Sequence, residues 1–141
     1  MRYVTRPGLH IDRCASAWLI RRFVDPTATF IFAEEPLPGA IPFDMPGVAW
    51  GHHRGRCTFE AILEAKDLKD AALAELGRIV RSADILASAD ETLEGAGLDM
   101  LFRGLRLTQP DDDKILEQAF PIFDALYAAL KERMAEPKRN S

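Results

Sequence analysis

From Cys14 to Ile20 the chain runs Cys14, Ala15, Ser16, Ala17, Trp18, Leu19, Ile20, with one hydroxyl as its only polar side chain. Such a run, read as a helix, is apolar on every side and has to be covered on every side. The rest of the chain must therefore pack around it. Four polar residues, Arg6, His10, Asp12 and Arg13, stand where a strand over Tyr3–Thr5 turns at Pro7-Gly8 and enters this helix. A helix held so deeply fixes the side chains of its first turn, which a binding site requires.

The pattern predicts a helix over 12–23, with the Asp12 carboxylate capping the free N–H groups of its first turn and Asp25-Pro26 ending it. Thr29–Ala33 is β-branched and aromatic and reads as a buried strand. Strand, helix and strand in about 30 residues match a parallel βαβ unit. Glu34–Pro46, with Pro36, Pro38, Gly39, Pro42 and Pro46, reads as a loop long enough to serve function. Val48–Trp50 reads as a third strand, and Thr58 as the cap of a helix through Ala65.

Beyond that only helices are expected: 71–86, 93–105 interrupted by Gly95 and Gly97, and 111–134 with a kink or restart at Pro121. The tail after Ala135 is polar and expected to fray. The fold class is α+β, predominantly helical, with a small N-terminal sheet of about three strands covered by four to five helices. At 141 residues the chain reads as a single domain, 1–141.

Charge narrows the partners. Residues 1–60 carry seven arginines and no lysine against six acids, a net of +1, while 61–141 carry eleven bases against sixteen acids, a net of -5. Direct nucleic-acid binding by this domain alone is not expected, because it needs a strongly basic face. No apolar run approaches the roughly 20 residues that span a bilayer. The N-terminus has no apolar targeting segment, so a cytoplasmic location is the default expectation. Cys14 and Cys57 are too few for a disulfide framework.

Two constellations carry candidate chemistry. The first is Arg6, His10, Asp12 and Arg13. A cation in the first turn of a helix is disfavoured by the dipole unless an anion offsets it, and that anion is Asp12, another carboxylate or a bound ligand. In an extended loop His10 and Asp12 face the same way, as metal ligands do. The simpler reading is a cap with a surface ion pair. The second constellation is His52, His53, Arg54, Arg56 and Glu60. On a strand His52 and His53 point to opposite faces, so one of them faces a site. Glu60 suits either the helix dipole or a metal. Asp44, in the proline-rich loop, could close over a site, although loop acids are usually solvated; Asp84 and Asp124 are acids that need partners if buried. A Cys57–His53 nucleophilic pair is conceivable but lacks an orienting group. Phosphate loops, Cys-x-x-Cys and hydrolase motifs are absent from the sequence.

The run Val4-Thr5-Arg6 through His10-Ile11-Asp12-Arg13, then Ala17–Phe23 and Asp25-Pro26, resembles the ChrB-type chromate-resistance domain. So do Phe43-Asp44, His52-His53 with Cys57–Glu60, Ile79–Asp84, Ala96-Gly97-Leu98 and Phe123–Tyr127. Ser16 and the turn at Glu94–Gly97 depart from the family's usual residues. Longer members carry a further N-terminal region and are chromate-sensing regulators of an efflux operon; this chain corresponds to their C-terminal domain. The resemblance implies a small inorganic oxyanion such as chromate as ligand.

A tetrahedral dianion suits Arg6, Arg13, His52 and His53 as donors. Asp12 and Glu60 would repel it and suit a divalent metal ion instead, with His10, Asp12, His52, His53 and Glu60 as candidate ligands. The two combine if the metal itself binds the oxyanion. Three functions follow: an oxyanion-binding or sensing domain of chromate resistance, a metal-dependent enzyme of unknown reaction, or a helical protein-interaction module. A homo-oligomer built through the long last helix is compatible with all three.

Overall fold

The computed structural model describes residues 1–84 and 92–135. The expected helix end at Leu86 and the tail after Ala135 lie outside the described residues. Three strands form one parallel sheet: β1 (Arg2–Thr5) in the centre, β2 (Thr29–Phe32) on one side and β3 (Ala40–Pro42) on the other. Tyr3 pairs with Phe30 and with Ile41, which fixes both registers. Five α-helices follow or connect the strands: α1 (Ile11–Leu19), α2 (Thr58–Ala65), α3 (Ala71–Asp84), α4 (Leu93–Thr108) and α5 (Asp112–Ala135). The predominantly helical α+β class is thus the observed one.

α1 is the hub. Every described residue of it except Arg13 is buried, and it packs against α2, α3 and α5 and touches α4. Trp18 is fully buried, with its ring against Phe23, Phe59, Phe123 and Tyr127, so one indole joins α1 to α2 and α5. After Leu19 the helix widens into a π turn over Ile20–Val24, closed by Asp25 N–H donating to Ile20 O at 2.7 Å.

Five expectations are corrected. The third strand is Ala40–Pro42 rather than Val48–Trp50. Pro42 has no N–H to donate, which is tolerated because β3 is an edge. Trp50 instead accepts the Asp44 N–H at 2.8 Å, folding 43–50 back on itself as the loop that carries Asp44. Asp12 does not cap its own helix: the N-cap is His10, and the Asp12 carboxylate turns away to α2. Cys57, not Thr58, is the cap position of α2, and the Glu60 carboxylate accepts its N–H at 3.2 Å. Finally, α5 runs through Pro121 without a restart, and α4 extends to Thr108.

Gly95 shows why α4 is not broken there. A β-carbon on it would lie 2.1 Å from Ser82 Oγ and 2.6 Å from Thr92 Oγ1. The glycine lets α4 and α3 approach, while Thr92 Oγ1 accepts the Gly95 N–H at 2.8 Å and caps α4.

Candidate functional site

The carboxyl ends of parallel strands, where the chain leaves the sheet for its helices, are where open α/β sheets place ligands. Here β1 leads through Arg6 into α1, and β3 leads through Phe43 to Asp44. Four side chains from four segments meet beside that edge. Asp12 comes from the first turn of α1, Asp44 from the loop after β3, His52 from the segment before α2, and Asp84 from the last turn of α3.

His52 Nε2 lies 3.0 Å from Asp12 Oδ2, 3.2 Å from Asp84 Oδ2 and 3.4 Å from Asp44 Oδ1. A ring nitrogen carries one hydrogen, so it cannot serve three carboxylates at full strength. Asp12 is 1% exposed and satisfied beyond His52: Thr58 N–H donates to it at 2.9 Å, Phe59 N–H at 3.1 Å and Ser16 Oγ at 3.4 Å. Asp44 accepts Arg13 Nε at 2.8 Å and Thr58 Oγ1 at 2.7 Å. Its backbone sits at φ 51°, a left-handed conformation that costs energy for a residue with a β-carbon. The strain is held by those bonds and aims its carboxylate at His52.

The charges decide the protonation. Hydrogen bonds to Asp12, Asp44 and Asp84 push His52 up to about 12, so its imidazole is a cation at neutral pH. Burial pushes the Asp12 carboxyl up, and the bond from His52 draws it back. Burial also works against the Asp44 anion, but His52, Thr58 and the Arg13 charge outweigh it and hold that carboxyl below its ordinary range. The His52 ring and the Arg13 guanidinium are thus the cations set among the three carboxyl groups.

One donor atom each from Asp12, Asp44 and His52 lie within 4.8 Å of one another, close enough to share a metal ion. The donor set is two carboxylate oxygens and one imidazole nitrogen, and Asp84 meets it through His52. That set suits a hard or borderline divalent cation, such as manganese, iron or zinc, rather than a thiophilic one. The fit rests on convergence: a cation at that point would take over the role the imidazolium plays among the three anions. A cavity of about 260 Å³ opens beside the cluster, lined by Arg6, Asp44, Met45, Val48 and His52 among others.

The other candidates go elsewhere. His10 Nε2 lies 3.4 Å from Asp99 on α4, so His10 and Asp12 face different ways, because His10 precedes the helix and Asp12 lies inside it. His53 Nε2 bonds the carbonyls of Val48 and Ala49, each at 3.0 Å, and takes no part in the cluster. Glu60 pairs with Arg81 at 3.2 Å and belongs to the α2–α3 contact. Arg13 is committed to Asp44 and to the carbonyls of Arg6, Pro7 and Gly8, so the anion that offsets it is a carboxylate of the chain. Arg6 is only loosely paired, 3.6 Å from Glu34. Cys57 is fully buried, burial pushes its thiol far up, and His53 does not reach it, so the pair cannot act as a nucleophile.

Asp44 and Asp84 complete the cluster although neither stood among the candidate ligands. The signal was present in Asp84: an acid following an apolar helical face needs a partner, and His52 is that partner.

Comparison with known proteins agrees on one family. Residues 3–130 match the family model described as ChrB, C-terminal domain. The relative named Protein ChrB, from Cupriavidus metallidurans, is 36% identical over 129 residues, which cover 89% of this chain and 39% of that protein. The chain thus spans about two fifths of the length of that relative. No solved structure matches.

Proposed function

Because the chain belongs to the family of the ChrB C-terminal domain, we propose that it serves chromate resistance as a sensing domain centred on a bound divalent cation. The observation that carries this reading is the approach of His52 Nε2 to three carboxylate oxygens from three separate elements. Asp12, Asp44 and His52 would hold the cation, with Asp84 beside them on His52. Its charge would offset the carboxylates beside the cavity that Arg6 lines, so that a chromate-like dianion could be held there with Arg6 as a further donor. Without the cation a dianion would face the Asp44 carboxylate beside His52. Direct capture by Arg13 has little support, since that guanidinium already holds Asp44 and three carbonyls.

The test uses protein purified without a histidine tag. Elemental analysis, then titration with manganese and zinc, reads the cation; chromate, sulfate and phosphate are titrated with and without it. One cation per chain, with anion binding only when it is present, is the expected result. Anion binding that ignores the cation would return the role to the arginines alone. A metal-dependent enzyme is the second reading, favoured by the cavity open to one side of the cluster; turnover of a bound oxyanion in the loaded protein would select it.

A further inference from the structure

Thr58 touches two carboxylates of the cluster, through two different groups. Its backbone N–H donates to Asp12 Oδ2 at 2.9 Å, and its hydroxyl donates to Asp44 Oδ1 at 2.7 Å. These are the same two oxygens that His52 Nε2 approaches, at 3.0 and 3.4 Å. One fully buried residue at the start of α2 therefore sets the spacing between two oxygens that come from α1 and from the loop after β3.

The other oxygen of each carboxylate is committed within the chain. Asp12 Oδ1 receives the Phe59 N–H at 3.1 Å and the Ser16 hydroxyl at 3.4 Å, which fills the roughly two acceptor positions of one oxygen. Asp44 Oδ2 receives Arg13 Nε at 2.8 Å. Each carboxylate thus turns one oxygen to His52 and gives the other to a donor of the chain. A cation held there meets Asp12 and Asp44 through one oxygen apiece, and bidentate contact has to break the bonds from Phe59 or Arg13.

We propose that Thr58 is the residue that sets which cation this site accepts, by holding Asp12 and Asp44 to one oxygen each. The inference rests on the metal-centred reading above and adds the selectivity to it. Two monodentate carboxylates and one imidazole make three protein ligands. That is a poor set for calcium, which takes roughly six to eight oxygens, often from bidentate carboxylates. The imidazole nitrogen further favours zinc or iron over calcium and magnesium. Three ligands also leave a coordination position open, as a site that binds a small molecule at its metal requires.

Calorimetric titration of zinc and of calcium into the whole chain, purified without a histidine tag and stripped of metal, tests this, with thermal melts as the control for folding. The parent should bind zinc and strongly discriminate against calcium. Thr58→Val keeps the shape and the N–H but loses the hydroxyl, so the Asp44 carboxylate is free to turn. Zinc affinity should fall about tenfold or more, as when the hydrogen-bond partner of a ligand is removed. Calcium affinity should hold or rise, so the ratio narrows by at least as much. Thr58→Ser keeps the hydroxyl and should bind both ions as the parent does. Should the valine variant melt too low to titrate, Thr58→Ala carries the same comparison with serine. A parent that binds neither ion overturns the metal-centred reading and this inference with it. A parent that binds zinc, with an unchanged zinc-to-calcium ratio in the valine variant, overturns the inference alone. A serine variant that behaves like the valine one, or a parent that takes calcium as tightly as zinc, overturns it too.

Discussion

Asp12, in the first turn of α1, caps the helix that begins at Thr58: its carboxylate accepts the Thr58 N–H at 2.9 Å. The same carboxylate takes the Phe59 N–H and bonds His52, so one buried anion closes the fold and floors the site. Asp12→Ala leaves two amide donors buried without an acceptor. The loss expected is roughly 2–6 kcal/mol, since each unsatisfied donor costs about 1–3 kcal/mol. Asp12→Asn keeps one carbonyl acceptor and should lose less. Urea unfolding decides; an Ala variant as stable as the parent would show that the cap carries no weight.

Asp84 does less for the fold than Asp12 and is the better probe of the site. It bonds His52 at 3.2 Å and helps hold the imidazolium there. Asp84→Asn removes one of three carboxylates around that cation, so the melting temperature of the metal-free protein should fall slightly while Asp12 and Asp44 still hold the ring. Cation affinity should fall on the order of tenfold to a hundredfold, as when a ligand or its support is removed. Calorimetric titration of manganese into both proteins measures it. Equal affinities would show that Asp84 gives the site no support.

How much of this was legible beforehand follows from how local each interaction is. The buried helix, the βαβ start and the helical remainder are written in runs of neighbouring residues, and they were read. The third strand was misplaced because Pro42 and Gly39 mark a loop by composition, whereas an edge strand of three residues tolerates a proline. Only one of the adjacent histidines, His52, meets the cluster, although the strand on which they were expected to alternate is absent. The cluster itself did not follow, because Asp44 and Asp84 lie eight and thirty-two positions from His52 and are ordinary acids until the fold brings them together. Asp12 was assigned to the nearest helix; a carboxylate in a first turn caps its own helix by default, and only tertiary packing sends it to another.

Tyr127 and Asp70 give a test of the scaffold away from the site. The Tyr127 hydroxyl donates to Asp70 Oδ2 at 2.6 Å, and Asp70 Oδ1 accepts the N–H groups of Ala72 and Leu73, so α5 is tied to the cap of α3. Burial works against the Asp70 anion, but Tyr127 and the two amides outweigh it and lower its pKa. Its contribution is present above the unfolded carboxylate value, about 4, and is lost as pH falls through the lower folded value. Burial, then Asp70, push Tyr127 up to about 12. The unfolded chain gives up that proton from about pH 10, so stability declines as pH rises between those values. Tyr127→Phe should flatten the alkaline slope of melting temperature against pH and remove part of the acid one. A slope identical to the parent's would break the assignment.

A proton should leave when the cation arrives. In the metal-free protein His52 is held at about 12, so the imidazolium stabilises the fold fully below the ordinary histidine value, about 6.5, and that contribution is lost only as pH rises through the folded value. Neutral pH lies far inside the protonated range. A cation needs the lone pair of Nε2 and must displace that hydrogen. Its apparent affinity should therefore rise about tenfold per pH unit between roughly pH 6 and 8, with one proton released per site. Calorimetry in two buffers of different ionisation enthalpy counts the proton directly. The exchange also predicts that loading the site costs little stability in charge terms, because a dication replaces a monocation among the same three carboxylates. Cation binding with no proton released would mean that Nε2 keeps its hydrogen and that the carboxylates alone hold the ion.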